Sequence, residues 1–294
     1  MAAGQALAGA GPGPSDAGPV SDSPPRLTRR HTAGGETARG LLFTVLGEFV
    51  LPSGGSAWTS AFIDVLGRLG VEEKACRQAL MRTAADGWLI ADRAGRRASW
   101  RLTSQGVQLL TEGTERIYGF TASRTAWDGQ WLMILARTPE TERQARHRLR
   151  TRLAWTGFGS PAPGVWLSPD PALRPEAERI LADAGLLADA HIFLAAHAGG
   201  GQLAALIGQA WDLGAIERRY EDFLTEFEDG GTADPLARQT ELVHAWRRFP
   251  WLDPVLPAPL LPAGWSGTRA AALFARLHAR WSDAAMTEWQ RITD

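Results

Sequence analysis

Three observations predict an α+β protein built in three parts. From residue 38 to about 113 the pattern runs helix, helix, helix, strand, polar loop, strand, helix. Over the next roughly 70 residues strands alternate with helices, and beyond about residue 200 every periodic segment is helical. The first order is that of a winged helix (38–120), the second that of a ferredoxin-like α/β sandwich (121–200), and the remainder is a helical C-terminal domain (201–294).

Residues 1–37 are rich in Gly, Ala, Pro and Ser and poor in large apolar groups. Such a segment cannot repay the entropy of ordering and reads as a disordered tail, with Arg26, Arg29 and Arg30 offering weak phosphate contacts. A first helix spans 38–51, with Leu42, Val45, Leu46 and Phe49 on one stripe, and the Pro-Ser-Gly-Gly at 52–55 ends it. A second helix begins at Ser56 or Trp58 and stops at Gly70, and a third runs from Val71 to near Gly87. Residues 88–90 and 99–102 read as short strands around the polar loop 92–98, where Gly95 can supply the tight turn. Thr103 caps a fourth helix that extends to about Gly113.

After a connection at 121–129, strands are predicted at 131–136, 164–167 and 191–196, with an arginine-rich helix at 140–155 and another helix at 175–184. The last third offers helices at 203–209, 213–228, 235–249 and 268–292. Between the final two, residues 250–262 hold too many prolines for a helix and are expected to run extended over a surface.

A formal net charge of −1, with 45% hydrophobic and 21% charged residues, describes an ordinary globular chain. Any affinity for nucleic acid must therefore come from a local patch. Cys76 is the sole cysteine, which excludes an internal disulfide and a cysteine-cluster zinc site; its place in a helical pattern suits a small buried apolar residue. No run approaches the ~18 apolar residues of a membrane span, and the N-terminus lacks the pattern of a signal peptide, so a cytoplasmic protein with no membrane partner is expected.

Signatures of catalysis are missing. The one lysine, Lys74, follows Glu73 rather than a phosphate-binding glycine loop. The glycines at 9–13 and 157–159 do not lead from a strand into a helix, and Ser160 sits in Gly-Ser-Pro rather than a nucleophile elbow. His147, His191, His197, His244 and His278 show no metal-ligand spacing, so no metal and no cofactor is expected, and the chain does not read as an enzyme.

The third helix carries the sharpest signal. On a 100° wheel Lys74, Arg77, Gln78, Met81 and Arg82 fall on one side, and Cys76, Ala79, Leu80 and Thr83 on the other. One face can pack while the other presents an ammonium, guanidiniums and an amide, the groups that pair with phosphates and with base edges in a major groove. The wing repeats the bias with Arg93, Arg96, Arg97 and Arg101. From Arg68 to Arg101 eight basic residues meet four acids, a local surplus on a nearly neutral chain.

These residues also carry a resemblance. Ala38-Arg39-Gly40, Leu69-Gly70-Val71, Arg77-Gln78-Ala79-Leu80-Met81-Arg82, Gly87-Trp88-Leu89, Gly95-Arg96-Arg97 and Arg101-Leu102-Thr103 resemble the winged helix of the PaaX family, repressors of phenylacetate catabolism. Trp127-Asp128-Gly129, Trp131, Gly157-Phe158-Gly159, Gly164-Val165-Trp166, the string from His244 to Pro250, Asp253-Pro254, Leu256-Pro257, Leu260-Leu261-Pro262 and Trp265 extend the likeness to the end of the chain. The resemblance implies a Cas2-like middle domain and a homodimeric repressor of a double-stranded DNA operator. It also implies release by an acyl-CoA effector, which is phenylacetyl-CoA in the family's namesake. The long tail, Cys76 and Met81 depart from the family pattern.

A Cas2-like domain raises metal-dependent nuclease chemistry, which needs an acid at the end of the first strand to hold a hard cation. Here that strand runs into Arg137-Thr138-Pro139 and Asp128 lies before it, so dimerisation is the expected role. For an acyl-CoA, the C-terminal cluster Trp246, Arg247, Arg248, Phe249, Trp251 and Trp265 pairs aromatic surface with guanidiniums. The same residues suit a helical core with internal ion pairs equally well. The alternative function is an acyl-CoA sensor or assembly scaffold that uses the winged helix for protein contacts.

Overall fold

The computed structural model describes residues 37–95, 97–120, 127–137, 143–231 and 234–294, without the side chains of residues 94 and 143–145. The predicted tail with Arg26, Arg29 and Arg30, the wing residue Arg96 and most of the 121–129 connection lie outside the described residues.

The Gly40 N–H donates to Thr37 Oγ1 at 3.1 Å and opens helix α1 (Ala38–Val45). The helix continues as a π-helical turn over Leu46–Val50, closed by the Leu51 N–H on the Leu46 carbonyl at 2.9 Å. Then come β1 (Ser56–Trp58), α2 (Thr59–Arg68), α3 (Glu73–Ala85), β2 (Leu89–Ala94), β3 (Arg97–Leu102) and α4 (Ser104–Gly119). Residues 56–58 are thus a strand rather than the start of a helix: they pair antiparallel with β3, Ala57 opposite Trp100. The hairpin strands are longer than the sequence suggests, in register from Leu89↔Leu102 to Ala94↔Arg97, and the sheet order is β1-β3-β2. Helix α4 passes Gly113 and ends at Gly119, started by Thr103, whose Oγ1 accepts the Gly106 N–H at 2.9 Å.

The middle part is β4 (Gln130–Leu135), α5 (Arg143–Trp155), β5 (Gly159–Ala162), β6 (Val165–Ser168), α6 (Arg174–Asp183) and β7 (His191–Ala196). The strands form one antiparallel sheet in the order β5-β6-β4-β7, which is the ferredoxin-like arrangement. Leu132, Ile134 and Trp166 of the sheet pack with Leu149 and Leu153 of α5 and Ile180 and Leu181 of α6. Strand β5 is an addition to the three predicted strands. Its Gly-Ser-Pro-Ala sequence has no strand preference, and a proline is tolerated there because the strand is at the sheet edge.

The C-terminal part is α7 (Leu203–Ala210), α8 (Leu213–Phe227), α9 (Pro235–Trp246), α10 (Phe249–Leu252) and α11 (Ser266–Thr293). The proline-rich segment is not uniformly extended. It begins in the short α10, includes a 3-10 turn at Ala258–Leu260, and buries Leu256 and Leu260 in the core. Helix α11 has 28 residues, a length of about 42 Å at the usual rise. Its first half, through Phe274 and Leu277, joins the aromatic core of Tyr220, Phe223, Trp246 and Phe249, whereas Ala285 and Trp289 enter the winged-helix core. Arg68 of α2 fastens that end, reaching Asp64 at 2.7 Å, Asp234 at 3.3 Å and Glu288 of α11 at 2.6 Å. Among the described residues no helix is long and apolar enough to cross a membrane.

Candidate nucleic-acid interface and adjoining clefts

Helix α3 divides as its periodicity requires. Cys76, Ala79, Leu80 and Thr83 are buried against α1 and α2, and burial pushes the Cys76 thiol up to about 11. Lys74, Arg77, Gln78 and Arg82 are exposed, as is Met81 at 62%, a large apolar side chain left on the polar face. Arg77 pairs with Glu73 one turn earlier at 2.7 Å. Both partners are solvated, so the pair orients the guanidinium more than it stabilises the helix. The far end of α3 is fixed from α1: Arg39 pairs with Asp86 and lies over the rings of Phe43 and Trp88, 5.7 and 5.5 Å from their centroids.

The hairpin places Arg93, Arg97 and Arg101 in solvent, and Gly95 at its tip has φ +63°, a conformation that favours glycine. Arg97 lies 5.9 Å from the Trp58 ring centroid, and Arg101 pairs with Asp92 at 3.2 Å. On the other face of β3, Trp100 is buried and its indole N–H donates to Thr59 Oγ1 at 2.9 Å, which anchors the sheet to α2. Arg96 lies outside the described residues.

The C-terminal cluster splits. Trp246, Phe249 and Trp265 are interior: Trp246 stacks on Phe274 at 4.7 Å, Phe249 on Tyr220 at 4.1 Å, and Trp265 meets Tyr220 edge-on at 5.8 Å. Arg248 is half-buried. Arg247 is buried and donates to Thr44 Oγ1 at 3.3 Å, a hydroxyl that also lies 3.0 Å from His244 Nδ1. Burial, helped by neighbouring guanidiniums, lowers Arg247 to about 10 and His244 to about 3. Arg247 and Trp251 line a largely apolar cleft at the junction of α1, α4 and α9, whose walls include Phe43, Leu109, Leu110 and Ile117. Arg116 reaches over the Trp251 ring at 4.3 Å. At the edge of this cleft, Glu48 on the π-helical turn accepts from Gln239 at 2.8 Å and from Tyr118, and meets His278 at 2.8 Å. Burial works to raise the Glu48 carboxyl, but these hydrogen bonds keep it below the usual range.

A second cleft, of about 890 Å³, opens between the ferredoxin-like and helical parts. His147, Arg150 and Trp155 of α5 form one wall, Arg219 of α8 another, and Trp251 borders it as well. Trp211 builds its floor by packing on Gly159, where a Cβ would fall 2.4 Å from the indole, and by donating to the Gly157 carbonyl at 3.2 Å. Two acids in the lining are already engaged: Asp212 accepts the Ala215 N–H at 3.0 Å, and Asp253 accepts the Tyr220 hydroxyl and the Val255 N–H, each at 2.7 Å. The lining thus sets two guanidiniums, Arg150 and Arg219, beside two carboxylates that the chain holds in place. These residues are far apart in sequence, and the arginine-rich composition of α5 was the one visible signal.

Three family models match successive stretches of the chain: "PaaX-like protein" over 37–106, "PaaX protein central Cas2-like domain" over 124–207, and "PaaX-like protein C-terminal domain" over 211–291. The transcriptional repressor PaaX of Escherichia coli (strain K12) is 31% identical over 262 residues, covering 84% of this chain and 81% of that protein. The chain belongs to the PaaX family. It is accordingly a transcriptional regulator with a Cas2-like middle domain. A solved structure, the uncharacterized protein Rv0674 from Mycobacterium tuberculosis, is similar with a TM-score of 0.61 and 25% identity, over 86% of this chain and 99% of that one. In this PaaX-family chain Asp128 Oδ1 accepts the Gln130 N–H at 2.9 Å, shaping the turn before β4. Among the described residues no three His, Cys, Asp or Glu side chains gather to hold a metal ion.

Proposed function

We propose that this PaaX-family regulator is a one-component repressor without chemistry of its own, binding a double-stranded DNA operator as a homodimer and leaving it when an acyl-CoA such as phenylacetyl-CoA binds. The observation that carries the DNA reading is the exposed face of α3, where Lys74, Arg77, Gln78 and Arg82 stand on a helix whose opposite face is locked into the winged-helix core. Guanidiniums and amides there match guanine and adenine edges, while Arg93, Arg97 and Arg101 of the hairpin suit phosphates.

Dimerisation is supported by the edge of the four-stranded sheet. Strand β7 ends the sheet and leaves Phe193 and Leu194 exposed, the latter at 64%. An exposed apolar edge strand invites pairing, and a second copy across a two-fold axis would cover it. A two-fold dimer calls for paired half-sites one helical turn, or a multiple, apart. Arginines beside indoles support the acyl-CoA reading. The test is a gel shift with the full chain and the DNA upstream of its own coding region, repeated across acyl-CoAs. Retardation at low salt, reversed by one thioester, is expected; no shift at low salt counts against the DNA reading.

A further inference from the structure

We propose that Met81 sets part of the sequence preference of α3, by packing on the C5-methyl group of a thymine in the major groove. This rests on the DNA reading of α3 above and adds one base to it, chosen by apolar contact rather than by hydrogen bonds.

The position of Met81 decides what it can meet. At 100° per residue it falls between Arg77 and Gln78 of the preceding turn, on the midline of the exposed face rather than at its margin. Long side chains on a helix lean toward its N-terminus, which lays the thioether over the turn that carries those two polar groups. The packed face of α3 is already closed by Cys76, Ala79, Leu80 and Thr83, so the fold needs no apolar residue on the opposite side. Among the described residues only Leu194, at 64%, is a more exposed large hydrophobic side chain than Met81, at 62%.

Apolar surface left in water gains by burial only when a partner covers it, and the groups around Met81 define that partner. Lys74, Arg77 and Arg82 surround it with positive charge. The acids nearest on the helix are engaged, Glu73 with Arg77 at 2.7 Å and Asp86 with Arg39. What docks here must therefore be anionic around an apolar point. A DNA duplex has that character: phosphates line the groove, and the thymine methyl is the one alkyl group among hydrogen-bonding base edges on its floor. Methionine suits the contact, because its rotatable bonds and polarizable sulfur let it follow the methyl group. One helical turn advances about 5.4 Å against about 3.4 Å per base pair. The thymine therefore lies within about two base pairs of the pair that Arg77 or Gln78 reads.

The experiment is fluorescence anisotropy of the full chain on the segment it protects upstream of its own coding region, with each thymine in turn replaced by deoxyuridine. That exchange removes one methyl group and leaves pairing and charge intact. For the wild type, one thymine in each half-site should cost about three- to fivefold in affinity, the worth of one buried methyl group. In Met81→Ala the same exchange should cost nothing, with the effects at all other thymines unchanged. Its unchanged affinity for a random duplex reports that the fold is intact. Deoxyuridine penalties that are equal in the wild type and Met81→Ala, or absent at every thymine, would overturn the methyl contact while leaving the DNA reading standing. An equal loss by Met81→Ala on operator and random duplex, or a wild type that binds every duplex alike, would do the same. A wild type that binds no duplex at low salt overturns both.

Discussion

Trp289 of the final helix stacks on Phe49 of the first, their ring centroids 5.7 Å apart and their planes 26° from parallel. Phe62 of α2 meets the same indole edge-on at 6.1 Å. The hydrophobic core under the candidate recognition helix is therefore completed by the opposite end of the chain. Arg68, bonded to Glu288, fastens the contact at its rim.

Trp289→Ala should destabilise the protein by about 3–5 kcal/mol, the usual cost of emptying a large aromatic site. Urea denaturation should show a lower midpoint for the transition that unfolds the winged helix. A loss below about 1 kcal/mol, the range of an exposed side chain, would contradict the packing.

Gly106 sets a second test. A Cβ there would fall 2.4 Å from the Trp88 carbonyl oxygen, a backbone atom that cannot swing aside. Gly106→Ala should therefore cost about 1–3 kcal/mol by pushing α4 off the hairpin, despite the better helix propensity of alanine. Thermal melting reads the result, and a neutral or stabilising effect would refute the close approach.

Acid should weaken the fold through His244. Burial first, then Arg247 and Arg248, lowers its value from 6.5 to about 3. Below 6.5 the unfolded chain takes up a proton that the folded chain refuses. The contribution is complete above that pH and is lost as pH falls from 6.5 toward 3, at up to about 1 kcal/mol per pH unit. Glu48, with its value lowered, and Glu288, held at about 2 by Arg291 and Arg68, add to the loss in the same direction below about 4.5. Denaturation midpoints at pH 7, 6 and 5 should fall in order, and His244→Gln should flatten the slope between 6.5 and 5. An equally steep slope in that variant would place the titration elsewhere.

The three-part order and the polar face of α3 were legible because a 3.6-residue period over thirteen residues leaves little choice of which side packs. Strands β1 and β5 were not: Ser56–Trp58 is a strand only because Arg101–Ser99 lies beside it, and Gly159–Ala162 only because β6 does. The π-helical turn at Leu46–Val50 left no mark in an apolar stripe that suits an ordinary helix equally well. The C-terminal cluster shows the other limit. Trp246 and Arg247 are adjacent in sequence, yet one stacks in the aromatic core and the other lines a cleft. The larger cleft joins Arg150, Arg219 and Trp251, which no local pattern connects.

For the wing, Arg93→Ala or Arg97→Ala should weaken binding to every duplex alike. Each should also reduce the slope of log affinity against log salt by about 0.9, as expected for one lost phosphate contact. A change confined to the operator would assign these residues to base reading instead.

The most direct measurement is fluorescence anisotropy of the full chain on its operator and on a random duplex, comparing the wild type with Arg77→Ala and Gln78→Ala. Each variant should lose about 1–3 kcal/mol on the operator and essentially nothing on the random duplex. Equal losses on both duplexes, or none on either, would contradict the assignment of α3 as the helix that reads DNA.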